Sequence, residues 1–219
     1  MVSGMNISSL FQPANLLSLS RIALIPFIGY YLWRGDNQAT LICAVLLIVA
    51  GITDLLDGYV ARRLNQVSRL GIVLDPLADK ILAGSLVVML IFFRDLPLWL
   101  AIVILGRDLM IIAGALVLLK GKDTVVPSNL TGKYAFTAIA LLLGSYVIRF
   151  DFGIELMTYI TVILIAASAI IYARIFVLLR RGTSPASFTD RFVYRATRVV
   201  IIIGIASVYL YKLYLFILS

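Results

Sequence analysis

Long apolar runs alternate with short polar breaks along this chain. Runs near 17–33, 39–62, 70–93, 97–119, 133–149 and 154–179 each approach or exceed the roughly 20 residues a helix needs to cross a bilayer. A further run, 196–218, has the same character and carries Lys212 near its end, where a long stem lets the ammonium reach an interface. The breaks at 34–38 and 94–97 read as tight turns, and those at 120–132 and 180–192 as longer polar connections. Barrel-type alternation is absent, and in lipid only helices or closed barrels satisfy the backbone. The pattern predicts an all-α, polytopic membrane bundle. It has six core transmembrane helices, a short N-terminal interfacial helix broken at Pro13, and an extra C-terminal membrane helix. Residues 1–181 read as one membrane domain, and 182–219 as a polar linker with the added helix.

Composition strengthens that picture. Of 219 residues, 62% are hydrophobic and 14% charged, against about 45–50% apolar in soluble domains. The single cysteine, Cys43, lies in an apolar run, so no disulfide can form within the chain and a small packed hydrophobe is the plain reading. There is no histidine. That removes the usual proton shuttle and the commonest metal ligand, leaving carboxylates to carry any acid–base or metal chemistry.

The net charge of +8 is explained by position along the chain. If the N-terminus is cytoplasmic, thirteen of the nineteen Lys and Arg flank the cytoplasmic ends of the spans, Arg21 among them; only Arg34, Arg94 and Arg149 lie on the opposite side. This asymmetry sets the N-terminus inside and, after a seventh span, the C-terminus outside. It points to membrane lipids as partners and away from nucleic acid. Residues 1–19 show no cleavable signal.

Against this background the stretch 54–80, DLLDGYVARRLNQVSRLGIVLDPLADK, stands out for its four aspartates. Asp54 and Asp57 are three residues apart and Asp75 and Asp79 four apart, so each pair shares one helix face. A short connection makes the two helices antiparallel neighbours. Counting from Thr40, Asp54 sits about 21 Å along its helix, roughly a third of the way in from the cytoplasmic face. Four converging carboxylates repel one another unless some protonate or cations neutralise them. All-oxygen donors favour hard cations such as Mg²⁺, Mn²⁺ or Ca²⁺, and paired cations are a known device for phosphoryl chemistry. Gly58 and Ala61 keep the same stripe small, which suits either a ligand or a closely packed helix.

These residues resemble the signature of the CDP-alcohol phosphotransferase family, D-x2-D-G-x2-A-R-x8-G-x3-D-x3-D. Asp54, Asp57, Gly58, Ala61, Arg62, Gly71, Asp75 and Asp79 match it at every spacing. The segment ANLLSLSRIALIP is similar to the family's opening segment, with Asn15, Ser18 and Arg21 in place of its usual Asn, Thr and Arg. The resemblance implies a six-helix bundle with a polar cavity open to the cytoplasm, in the cytoplasmic (inner) membrane, and a homodimer. It implies a CDP-linked lipid donor, usually CDP-diacylglycerol, and two divalent cations, Mg²⁺ or Mn²⁺, held by Asp54, Asp57, Asp75 and Asp79. It places Asp54, Asp57, Gly58, Ala61, Arg62 and Gly71 at the nucleotide. Asp79 would take the proton from the acceptor hydroxyl and is a candidate metal ligand as well.

For the acceptor, Lys133, Arg107 and Arg174 are the candidate phosphate-binding cations. The stretches GRD and GKYAFT look most like the phosphatidylglycerophosphate synthase branch and its cardiolipin synthase relatives. Glycerol 3-phosphate is the favoured acceptor; phosphatidylglycerol, an inositol phosphate or serine are the alternatives. A transporter with an acidic ion site is the rival of another class, but the charges lie off-centre and no paired broken spans repeat in two halves. A kinase-type phosphate loop and a Ser–His–Asp set are both missing from the sequence.

Overall fold

The computed structural model describes residues 13–63, 69–119, 130–180 and 192–218. Within them, the side chains of 13–15, 54–63, 69–76, 114–119, 130, 175–176, 179–180, 192–198 and 200 fall outside the described set. The described residues form seven helices and no strands: α1 (Pro13–Arg34), α2 (Asn37–Arg63), α3 (Arg69–Phe93), α4 (Leu98–Leu119), α5 (Leu130–Ile148), α6 (Asp151–Arg180) and α7 (Phe192–Leu218). Each predicted span falls on one helix. Among the described residues, Leu16–Arg34, Thr131–Ile148, Asp151–Arg174 and Ile201–Leu218 are long and apolar enough to cross a membrane by themselves. The expected interfacial helix before Pro13 lies outside the described residues.

The helix ends follow from local chemistry. Pro13 opens α1, at a position where its missing N–H costs nothing. Asp36 caps α2, its carboxylate accepting from the Ala39 N–H at 2.8 Å and its carbonyl from the Thr40 N–H at 2.9 Å. The Ala39 amide, with Arg34 beside it, holds the Asp36 carboxyl below its ordinary range. The turns after α1, α3 and α5 each use one residue in the left-handed region: Gly35, Asp95 and Arg149. The last of these lets the Phe150 N–H reach back to the Ser145 carbonyl at 2.9 Å.

The chain divides into two compact units. One runs through Ala101 and includes Tyr146–Ile148; the other comprises Ile102–Ser145 and Arg149–Ser219. In the first, α1 packs along both α2 and α3. Its inward stripe is Ser18, Arg21, Ile28 and Leu32, successive steps of three, seven and four residues that keep to one helix face. The buried positions described on α2 are small, Ala39, Cys43 and Ala50, and small residues allow close helix approach in a membrane.

Arg94, counted from the sequence among the charges of the outer turns, is in fact turned inward and nearly fully buried. Its guanidinium donates to the carbonyls of Leu32 at 3.2 Å, Phe93 at 3.0 Å and Val147 at 3.4 Å, and to the Thr40 hydroxyl at 3.3 Å. Three helix C-termini thereby place orphan carbonyls on one cation, which is why a charge is tolerated there.

In the second unit, α7 leaves most of Ile201–Leu218 exposed, as a lipid-facing helix does. Tyr209 is the buried exception. Its hydroxyl meets that of Ser145 at 2.9 Å and its ring stands edge-on to Phe150. Phe216 packs on the same Phe150 ring, and Lys212 lies over Phe152. Gly153 makes this corner possible, because a Cβ there would come within 2.6 Å of the Ser145 hydroxyl and closer still to the Phe150 ring.

Candidate active site

The acidic motif spans the later turns of α2 and the opening turns of α3. Asp54 and Asp57 lie on continuous α2, Asp75 and Asp79 on continuous α3, so each pair holds the one-face spacing read from the sequence. The side chains of Asp54, Asp57, Gly58, Ala61, Arg62, Gly71 and Asp75 lie outside the described residues. Asp79 is described, and its surroundings are informative.

Arg21 of α1 is wholly buried and donates through Nη1 to Asp79 Oδ1. Its Nη2 reaches the Ser18 hydroxyl, one turn earlier, at 3.3 Å. The sequence placed Arg21 among the cytoplasmic flanking charges. The structure instead turns it inward, because a carboxylate 58 residues away offsets the cost of burying its charge. An arginine in a membrane helix that pairs with an acidic group is a functional feature more often than not.

The three cations proposed for the acceptor phosphate come from α4, α5 and α6 of the second unit. Arg107 is mostly buried; Nη1 pairs with Asp108 Oδ1 at 2.7 Å and Nη2 donates to the Gly132 carbonyl at 3.0 Å in the first turn of α5. Its Nε is buried with no hydrogen-bond partner. Lys133 is the next residue after Gly132 and is exposed, and Arg174 is exposed on α6. Tyr172, which the sequence reading passed over, brings its hydroxyl to 3.3 Å from where a Gly132 Cβ would stand, with Arg107 Nη2 3.6 Å from the same point. Glycine at 132 thus keeps an arginine and a phenol close to the start of one helix. Nothing in the apolar run around Tyr172 sets it apart in the sequence; it is found only through its neighbour on α5.

The profile of the CDP-alcohol phosphatidyltransferase family matches residues 11–163, well over half of the chain. The chain belongs to the CDP-alcohol phosphatidyltransferase family. Similarity to individual proteins agrees. An Aquifex aeolicus protein named CDP-diacylglycerol–glycerol-3-phosphate 3-phosphatidyltransferase is 37% identical over 160 residues, 72% of this chain and 87% of the relative. A Bacillus subtilis protein of the same name is 39% identical over 136 residues, 57% of this chain and 70% of its own length. A Drosophila melanogaster protein named probable cardiolipin synthase (CMP-forming) is 45% identical over 105 residues; the matched part is 48% of this chain and only 32% of that protein.

Membership in this transferase family sets aside the transporter reading. The family match ends inside α6, so α7 is an addition to the matched core.

Proposed function

We propose that this chain transfers the phosphatidyl group of CDP-diacylglycerol to glycerol 3-phosphate, forming phosphatidylglycerophosphate and releasing CMP. The observation that carries this reading is coverage. Relatives named for glycerol 3-phosphate transfer match over 70% and 87% of their own length. The presence of Arg107 and Lys133 around the start of α5 favours a phosphate-bearing acceptor as well.

In this reading Asp79 accepts the proton of the acceptor hydroxyl, since an alcohol is a poor nucleophile until a base takes its proton. The freed oxygen bonds to the phosphorus on the diacylglycerol side. The bond from that phosphorus to the bridging diphosphate oxygen breaks, and CMP departs with the electron pair. The donor set suits Mg²⁺ or Mn²⁺: Asp54, Asp57, Asp75 and Asp79 offer only oxygen, there is no histidine, and the one cysteine is buried on α2. Two such cations, when bound, would offset the charge of the diphosphate and of the departing CMP. Asp54, Asp57, Gly58, Ala61, Arg62 and Gly71 are assigned to the nucleotide. The active site faces the cytoplasm of the inner membrane with the N-terminus inside, an orientation supported by the asymmetry of Lys and Arg along the chain. The working form is a homodimer.

Transfer to phosphatidylglycerol is the second reading, favoured by the 45% identity to the Drosophila protein. Purified protein supplied with CDP-diacylglycerol and an acceptor panel decides between them. CMP release that depends on glycerol 3-phosphate supports the first; release that depends on phosphatidylglycerol replaces it with the second.

A further inference from the structure

Arg21 and Asp79 form an unequal pair. The arginine side chain is 1% exposed and the aspartate side chain 36%. The cation therefore sits behind the carboxylate, on the protein side, and the open side of Asp79 faces away from it. Nη1 engages Oδ1. The second arm of the guanidinium is braced by Ser18 one turn back on α1. A guanidinium is a rigid planar fork, so an acceptor it grips is held in direction as well as in charge.

We propose that Arg21 is a positioning residue for Asp79. It anchors the carboxylate through Oδ1 from the buried side and so fixes the direction in which Asp79 meets the reacting groups. The inference rests on the phosphatidyl-transfer reading of the site. Lysine at position 21 would keep the charge but not the fork. Glutamine would keep neither the charge nor the second donor arm.

The test uses the full-length protein in detergent, with three readouts: CMP release from CDP-diacylglycerol and glycerol 3-phosphate, Mn²⁺ affinity by electron paramagnetic resonance, and the thermal midpoint. Arg21→Lys is expected to lower kcat by about 10-fold and Arg21→Gln by about 100-fold, the scale of a misdirected catalytic group. The acceptor KM should stay within about 3-fold of wild type, because ground-state binding is not what is lost. Mn²⁺ should bind Arg21→Gln at least as tightly as wild type, since a neighbouring positive charge has gone. Wild-type kcat in either variant overturns the proposal. So does a loss of Mn²⁺ affinity that follows the thermal midpoint, which would mark a merely structural role. If Arg21→Gln does not fold, Arg21→Lys carries the same decision through its kcat and KM. Wild-type protein that releases no CMP with any acceptor would instead sink the transfer reading, and the role of Arg21 with it.

Discussion

Among the described residues, two buried arginines lie in the first compact unit, and they do different work. Arg94 is surrounded by carbonyls of Leu32, Phe93 and Val147, groups that carry only partial charge. Arg21 faces the full charge of the Asp79 carboxylate. Carbonyl oxygens at helix C-termini need donors wherever they are withdrawn from water, and Arg94 supplies them. A carboxylate in the same unit carries no such structural need. Its retention in an apolar helix calls for a chemical reason, and that reason extends to the arginine behind it. The comparison teaches that a buried cation should be read from its partner and not from its depth.

The contrast can be broken from its chemical side first. Asp79→Asn is expected to lower CMP release by at least about 1,000-fold while the protein still folds, the scale of losing a general base within a preorganised site. Removing divalent cations with a chelator should abolish release, with recovery on adding Mg²⁺ or Mn²⁺; full activity in a metal-free preparation would contradict the assignment of the four aspartates. The structural side comes next. Arg94→Met should cost about 3 kcal/mol of stability, since it strands several buried carbonyls. Its kcat per folded molecule should stay within about 3-fold of wild type. If Arg94→Met instead removes activity at unchanged stability, the division between the two arginines fails.

Smaller effects sharpen the picture elsewhere. Tyr209→Phe should cost about 1 kcal/mol by removing the hydroxyl contact with Ser145, measured as a lowered thermal midpoint with activity retained. Asp36 gives the weakest effect. Its carboxyl is held below its ordinary range by the Ala39 amide and by Arg34. The stability it adds is therefore complete above the unfolded-state value of 3.8 and is lost as pH falls through the lower folded-state value. Asp36→Asn should flatten that acid limb of the melting curve and leave the neutral region nearly unchanged, because asparagine also caps helices.

The helices were legible because lipid makes hydropathy an almost sufficient signal. Each apolar run became one helix, with ends shifted by a few residues where polar or capping groups extend the backbone ladder. Thus α1 reaches back to Pro13, and α5 begins at Leu130, before the lysine that had marked its start in the sequence. The aspartate motif was legible as spacing. What its surroundings contain was not, because Arg21 and Asp79 are 58 residues apart and only the packing of α1 on α3 joins them. For the same reason, charge counting could not show that Arg21 and Arg94 are buried: a count along the chain cannot see a partner on another helix. Arg107 beside Asp108 was readable as a local pair, whereas its bond to Gly132 and the nearby Tyr172 hydroxyl depend on three helices coming together.

The most direct measurement is CMP release by purified wild-type protein, with CDP-diacylglycerol as donor and glycerol 3-phosphate, phosphatidylglycerol, an inositol phosphate and serine offered one at a time. Release that depends on glycerol 3-phosphate, with phosphatidylglycerophosphate as the lipid product, is the predicted result. No release with any of the four, from protein that is folded and supplied with Mg²⁺, would contradict the account.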